Sequence, residues 1–141
     1  MAIPPPGIYY IRAGYSNHGS LIEDETSDQL LLSEEPSRKG LFRLSHNDDG
    51  TISLFSLTLS KYVRSNPGSY PSRVGFHDGG EIAKFELHKP EHPSNGAVKL
   101  LIGAKFLSLY GNTFYLYDEE VHADLFKFLP VKEGNANVRK D

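Results

Sequence analysis

The chain has 141 residues, of which 38% are hydrophobic and 23% charged; its formal charge is −3, with six histidines and no cysteine. That is one ordinary domain, long enough to bury roughly two thirds of the surface its unfolded form would expose. Scattered Lys and Arg with a net negative balance exclude nucleic acid as the main partner, because phosphate affinity needs clustered positive charge. The lack of cysteine excludes a disulfide framework, a thiol nucleophile and thiolate metal sites.

The opening MAIPPPGIYYIRAG has neither a basic start nor an apolar core of the length a secretory signal needs. The longest apolar runs are far too short to cross a bilayer. The expected location is the cytosol, or outside after release without a conventional signal, with no membrane partner.

In chain order, short segments rich in aromatic and branched residues alternate with Gly, Pro, Asn, Asp and Ser clusters, which predicts an all-β protein. The first unit, about 7–50, reads GIYYIRA, GSLIED, QLLLSEE and GLFRLSH and closes at Asn47-Asp48-Asp49-Gly50. The second, about 51–96, reads TISLFSL, KYVRS, SRVGFHD and AKFELHK and closes at Ser94-Asn95-Gly96. The third, about 97–134, reads AVKLLIG, KFLSLYG, TFYLYDE and DLFKFLPV and closes at Gly134, and residues 135–141 form a tail without apolar period. Glycine at a closing turn supplies the positive φ that a tight turn needs.

An apolar pair flanking one position recurs in the fourth strand of each unit, as Phe42-x-Leu44, Phe85-x-Leu87 and Phe126-x-Phe128. Phe42 to Phe85 is 43 residues and Phe85 to Phe126 is 41, a period typical of arrays of one supersecondary unit. Alternation sends these pairs to one face and Arg43, Glu86 and Lys127 to the other. Further positions align: Ile8 with Ile52 and Val98, Tyr62 with Phe106, and Leu32 with Phe76 and Leu116. A β-sandwich with coincidental spacing is the alternative architecture.

Three tandem four-strand units without a helix resemble a β-trefoil. The resemblance spans Gly7 to Val131 and implies six strands in a short barrel, three capping hairpins and a pseudo-threefold axis. Ricin-B-like lectins carry a Gln-x-Trp signature in the fourth strand. The matching triplets here are Gly40-Leu41-Phe42, Ala83-Lys84-Phe85 and Asp124-Leu125-Phe126, so the aromatic is kept as Phe while the Gln is absent in every unit and Trp from the whole chain. Pro5-Pro6-Gly7 followed by Ile8-Tyr9-Tyr10-Ile11 resembles the openings of small cysteine-poor mushroom β-trefoils. That group includes cytosolic lectins, the protease inhibitors called mycocypins and mycospins, and the lectin-like light subunit of mushroom tyrosinase. The Lys61-Tyr62-Val63 and Lys105-Phe106-Leu107 steps are similar to those of the actin-associated trefoils fascin and hisactophilin.

For catalysis, the chain offers no Gly-x-Ser-x-Gly elbow, phosphate loop, dinucleotide fingerprint or His-Glu-x-x-His. The adjacent pairs Glu34-Glu35 and Glu119-Glu120 point to opposite faces of a strand end and read as solvated charges. His88 and His92 have a metal-ligand spacing that has meaning on a helix, and Pro90 and Pro93 forbid one there. No enzyme activity, cofactor or metal is therefore expected.

Binding has more support, because loops held on a rigid β-core are where recognition residues gather. The segment Arg64 to Arg73 is the most divergent between repeats; its prolines limit the entropy lost on binding, and Asn66, Tyr70, His77 and Asp78 would supply an aromatic face, an amide and a planar acceptor. A second group in unit three comprises Tyr110, Asn112 and Tyr115, where alternation turns Phe114 and Leu116 one way and Tyr115 and Tyr117 the other. Either set suits a sugar. The same Arg64–Arg73 loop would equally suit a protease cleft, with Asn66, Arg64 or Arg73 entering the specificity pocket. The family resemblance implies a non-enzymatic lectin-like module as the leading reading, with protease inhibition or a partner-subunit role in a fungal enzyme as alternatives.

Overall fold

A computed structural model describes residues 3–13, 19–24, 26–35, 40–65, 72–76, 80–90, 96–120 and 123–131. Fourteen strands appear among them, all antiparallel and joined in one curled sheet: β1 (Gly7–Ala13), β2 (Gly19–Asp24), β3 (Gln29–Ser33), β4 (Phe42–His46), β5 (Ile52–Ser56), β6 (Lys61–Tyr62), β7 (Arg64–Ser65), β8 (Ser72–Gly75), β9 (Glu81–Ile82), β10 (Glu86–His88), β11 (Lys99–Ile102), β12 (Lys105–Tyr110), β13 (Thr113–Tyr117) and β14 (Phe126–Pro130). The all-β expectation holds.

The pairings divide into two groups. In the first, β1 pairs β4, β4 pairs β5, β10 pairs β11, and β14 returns to β1. Two isolated bridges supply the missing links: Ile52 and Phe85 exchange N–H···O bonds of 2.9 and 2.8 Å, and Val98 and Phe126 bonds of 2.8 and 2.7 Å. Six segments thus follow one another in a ring. In the second group, β2–β3 and β12–β13 are hairpins and β7 lies beside β8, while β3, β8 and β13 meet pairwise at Thr113–Leu31, Gln29–Gly75 and Phe114–Val74.

The repeated phenylalanines occupy the core. Phe42, Phe85 and Phe126 are fully buried, and the cross-strand partners are Tyr9, Ile52 and Val98, each buried as well. The partner in unit one is Tyr9, one residue beyond the Ile8 expected from the sequence alignment, and Ile8 stays half-exposed opposite Arg43. A one-residue slip exchanges the two faces of a strand, so the correction assigns Ile11, Leu54 and Leu100 to the next inward positions, all buried. The unalternating run Ile8-Tyr9-Tyr10-Ile11 concealed the register. The second members of the fourth-strand pairs differ: Leu44 is buried, whereas Leu87 and Phe128 are partly buried and pack against the core.

Two boundaries also differ from expectation. The predicted strand KYVRS breaks at Val63, whose N–H donates to Leu54 O (2.8 Å) and whose carbonyl accepts from Ala83 N (2.9 Å), so the chain passes from β5 to a new partner. That partner, β9, has only two residues and no periodic pattern to announce it. Closing turns at Gly50 and Gly96 have φ of +87° and +84°, as expected, and a Cβ there would meet nothing but the strained backbone itself. The third, Gly134, and the tail 135–141 lie outside the described residues.

Candidate functional site

The β12–β13 hairpin carries the most exposed aromatic side chain in the described structure. Tyr110 and Thr113 face each other across a two-residue turn of Gly111 and Asn112. Gly111 has φ +67°, which suits the first central position of a type II′ turn, where the twist matches that of the flanking strands. Thr113 Oγ1 donates to Tyr110 O (3.1 Å), and Leu32 N donates to Asn112 O (2.9 Å), which fastens the turn to β3. The tip is therefore held from two sides.

Alternation along β13 buries Phe114 and Leu116 and leaves Thr113, Tyr115 and Tyr117 half-exposed, the orientation read from sequence. Tyr110 is 69% exposed, and its ring meets that of Tyr115 edge to face, centroids 6.2 Å apart at 85°. Such T-shaped pairs are the favoured arrangement of two ring quadrupoles and hold one another's orientation. On the other side of β13, Tyr115 pairs with Arg73 of β8, which is exposed. The segment Arg64–Arg73, expected as a loop, has both ends in strands, Arg64–Ser65 in β7 and Ser72–Arg73 in β8, and the sheet joins its far end to the aromatic group of unit three, a contact between two units that sequence spacing could not reveal.

Chemically this surface offers two phenol faces, two hydroxyls that donate and accept, a guanidinium with five donors and the exposed Asn112 amide. That combination can stack on an apolar face and satisfy adjacent hydroxyls on a ligand. Asn66, Tyr70, His77 and Asp78 lie outside the described residues, as does His92. Among the described residues no three His, Asp or Glu side chains gather as a metal site. Glu119 and Glu120 are exposed, and Glu120 reaches Lys99, an ion pair not anticipated from the sequence.

The pairing registers also identify what the other repeats place here. In the β2–β3 hairpin Asp24 opposes Gln29 and Ile22 opposes Leu31, so Asp24 and Leu31 stand where Tyr110 and Tyr115 stand in unit three. Asp24 is engaged locally, its carboxylate accepting from Thr26 N (3.1 Å), Thr26 Oγ1 (2.9 Å) and Ser27 Oγ. In unit two the residue equivalent to Tyr115 is Gly75, where an added Cβ would meet Asp28 O at 2.8 Å. The aromatic pair belongs to unit three.

No protein-family model and no curated protein sequence matches the chain. Solved structures do. SeviL bound to the asialo-GM1 saccharide aligns with a TM-score of 0.72 at 14% identity, covering 91% of this chain and 100% of its own. A salivary protein of Culex quiquefasciatus from the Cysteine and Tryptophan-Rich (CWRC) family aligns with a TM-score of 0.69 at 10% identity, covering 93% and 98%. The Water-soluble Chlorophyll Protein of Brassica oleracea var. Botrytis, with chlorophyll b, aligns with a TM-score of 0.65 at 12% identity, covering 89% and 91%. At these identities the likeness is one of fold: this chain is similar in architecture to small all-β proteins whose structures hold ligands as different as a saccharide and a chlorophyll.

Proposed function

We propose that the chain is a β-trefoil whose ring of six segments forms the barrel and whose three strand pairs cap it, and that it acts as a non-enzymatic, lectin-like module. Carbohydrate binds on the outer face of unit three. The observation that carries this reading is the edge-to-face pair of Tyr110 and Tyr115 beside Arg73, on a turn fixed by Leu32 N–H. The exposed phenol face of Tyr110 stacks on the C–H face of a sugar, while Arg73 and Asn112 donate to its hydroxyls. A pre-ordered platform loses little conformational entropy on binding, which suits a shallow site. The saccharide held by the similarly folded SeviL supports the same class of ligand.

A glycan array followed by titration tests this. At least one glycan should bind with a dissociation constant of about a millimolar or tighter, and Tyr110→Ala should weaken it about tenfold, the loss of roughly 1.4 kcal/mol. Arg73→Ala should weaken it less. No binding across the array at millimolar sugar would overturn the reading, as would an affinity indifferent to Tyr110→Ala.

A further inference from the structure

A separate concavity of about 640 Å³ opens between the β4–β5 turn, β7, β9, β10 and the β11–β12 turn, with lining residues from all three units. Its size falls in the range of small-molecule sites. None of its lining residues belongs to the Tyr110 surface. Three carboxylates line it, those of Asp49, Glu81 and Glu86, against the single ammonium of Lys84.

These acids are not equally engaged. Asp49 accepts from Thr51 N (3.1 Å) and Thr51 Oγ1 (2.6 Å) and is further attracted to Lys84. Glu86 Oε1 lies 3.6 Å from His88 Nε2. Glu81 is exposed, and its carboxylate has no ion pair or hydrogen bond to a described residue. Beside it Ile82 is 39% exposed, unusual for a large aliphatic side chain in this fold, and Ile102 adds to the apolar wall.

A second, independent observation comes from Ser65 on the cleft wall. Its residue is only 5% exposed, and its backbone pairs with Val74 on one side and Glu81 on the other. Its hydroxyl makes no hydrogen bond to a described residue. A hydroxyl without a protein partner on a largely buried residue of a cleft wall can donate to and accept from whatever enters the cleft.

We propose that this cleft binds a small organic ammonium ion, a primary amine carried on a short aliphatic body. The ammonium, with three donors and no acceptor, lies between Glu81 and the Ser65 hydroxyl, and the aliphatic body covers Ile82 and Ile102. Lys84 is exposed and makes no ion pair with Glu81. The proposal is independent of carbohydrate binding at Tyr110.

Titration with n-butylammonium chloride at neutral pH, followed by amide chemical shifts, tests it, with 1-butanol as the neutral counterpart. Saturable shifts should centre on Ser65, Ile82 and Gly103, with a dissociation constant in the millimolar range, and 1-butanol should bind at least fivefold more weakly. Glu81→Gln, a surface change, should weaken butylammonium about fivefold, as expected for one partly exposed charge pair. Tyr110→Ala should leave it unchanged. Equal binding of amine and alcohol would reduce the cleft to an apolar groove and overturn the proposal, as would shifts that never saturate or a Glu81→Gln variant with unaltered affinity.

Discussion

In the ring, the three repeats place matched side chains at matched points: Tyr9, Ile52 and Val98 lie against Phe42, Phe85 and Phe126, and all six are buried. In the hairpin layer the same bookkeeping of positions gives Asp24 against Tyr110, and Leu31 and Gly75 against Tyr115. The difference has a physical cause. Interior positions are constrained by volume, since a core packed to crystal-like density penalises both gaps and excess. Asp24, Leu31, Tyr110 and Tyr115 reach solvent and are free to differ, whereas Gly75 is buried against Asp28 O, so divergence gathers where a ligand can reach it.

The largest effect should separate the two layers directly. Phe126 is fully buried, with its ring centroid 5.9 Å from that of Phe114, and its truncation to alanine should cost about 3–5 kcal/mol. Tyr110→Ala, by contrast, should change stability by no more than about 0.5 kcal/mol. Chemical denaturation measures both. Because the first change consumes much of a typical domain's stability of about 5–15 kcal/mol, Phe126→Leu provides a milder version, with an expected loss of about 1–2 kcal/mol. If Phe42→Leu, Phe85→Leu and Phe126→Leu differ by more than about 1 kcal/mol, the ring is less symmetric than its burial suggests.

Much of this division was legible in the sequence. Eleven of the twelve predicted strands each appear as one strand, because alternating apolar residues bounded by turn signals report burial on one face. The failures occurred where local pattern is silent. Ile8-Tyr9-Tyr10-Ile11 has no alternation, so only its pairing with Phe42 fixed which residue faces inward. β9 is two residues long and owes its existence to β7, a partner distant in sequence. For the candidate site, Tyr110 and Tyr115 were identifiable from composition and alternation. Their union with Arg73 was not, because it depends on β13 lying beside β8, a long-range pairing that no spacing encodes.

An intermediate effect should come from the seam where chain start and ring meet. Tyr9 Oη donates to Pro5 O (2.7 Å), and its ring stands edge to face against Phe128 at 5.9 Å. Burial pushes the phenol's pKa above its ordinary value. Tyr9→Phe keeps the ring and removes the bond, for a loss of about 1 kcal/mol at neutral pH. The folded value is raised, so the phenol's contribution is complete below the unfolded value and is lost as pH rises through the folded one. Denaturation midpoints of wild type and Tyr9→Phe should therefore converge at alkaline pH. Parallel curves would mean that the phenol's ionisation does not differ between folded and unfolded chains.

The smallest effect lies in the β4–β5 turn. There the Thr51 hydroxyl donates to Asp49 Oδ1 (2.6 Å) and accepts from Asn47 Nδ2 (3.0 Å), and Thr51 N donates to the same carboxylate. The hydroxyl's bond is the chief reason that the Asp49 carboxyl titrates below its ordinary value, with the backbone bond next. Thr51→Val keeps the branched shape and removes both side-chain bonds, while Asn47 retains Ser53 Oγ at 2.9 Å. A depressed folded value stabilises above the unfolded one and is lost as pH falls through the folded one. The gap between wild type and Thr51→Val should therefore be widest near neutrality and shrink in acid, and the Asp49 midpoint, followed by carboxyl NMR, should move part of the way to the ordinary value. What remains of the gap in acid measures the bonds that do not depend on charge, from Asn47 and to the protonated Asp49 carboxyl. A gap that is constant from neutral pH to acid would assign the whole contribution of Thr51 to bonds that do not depend on charge and leave the ionised Asp49 as a solvated charge at the rim of the cleft.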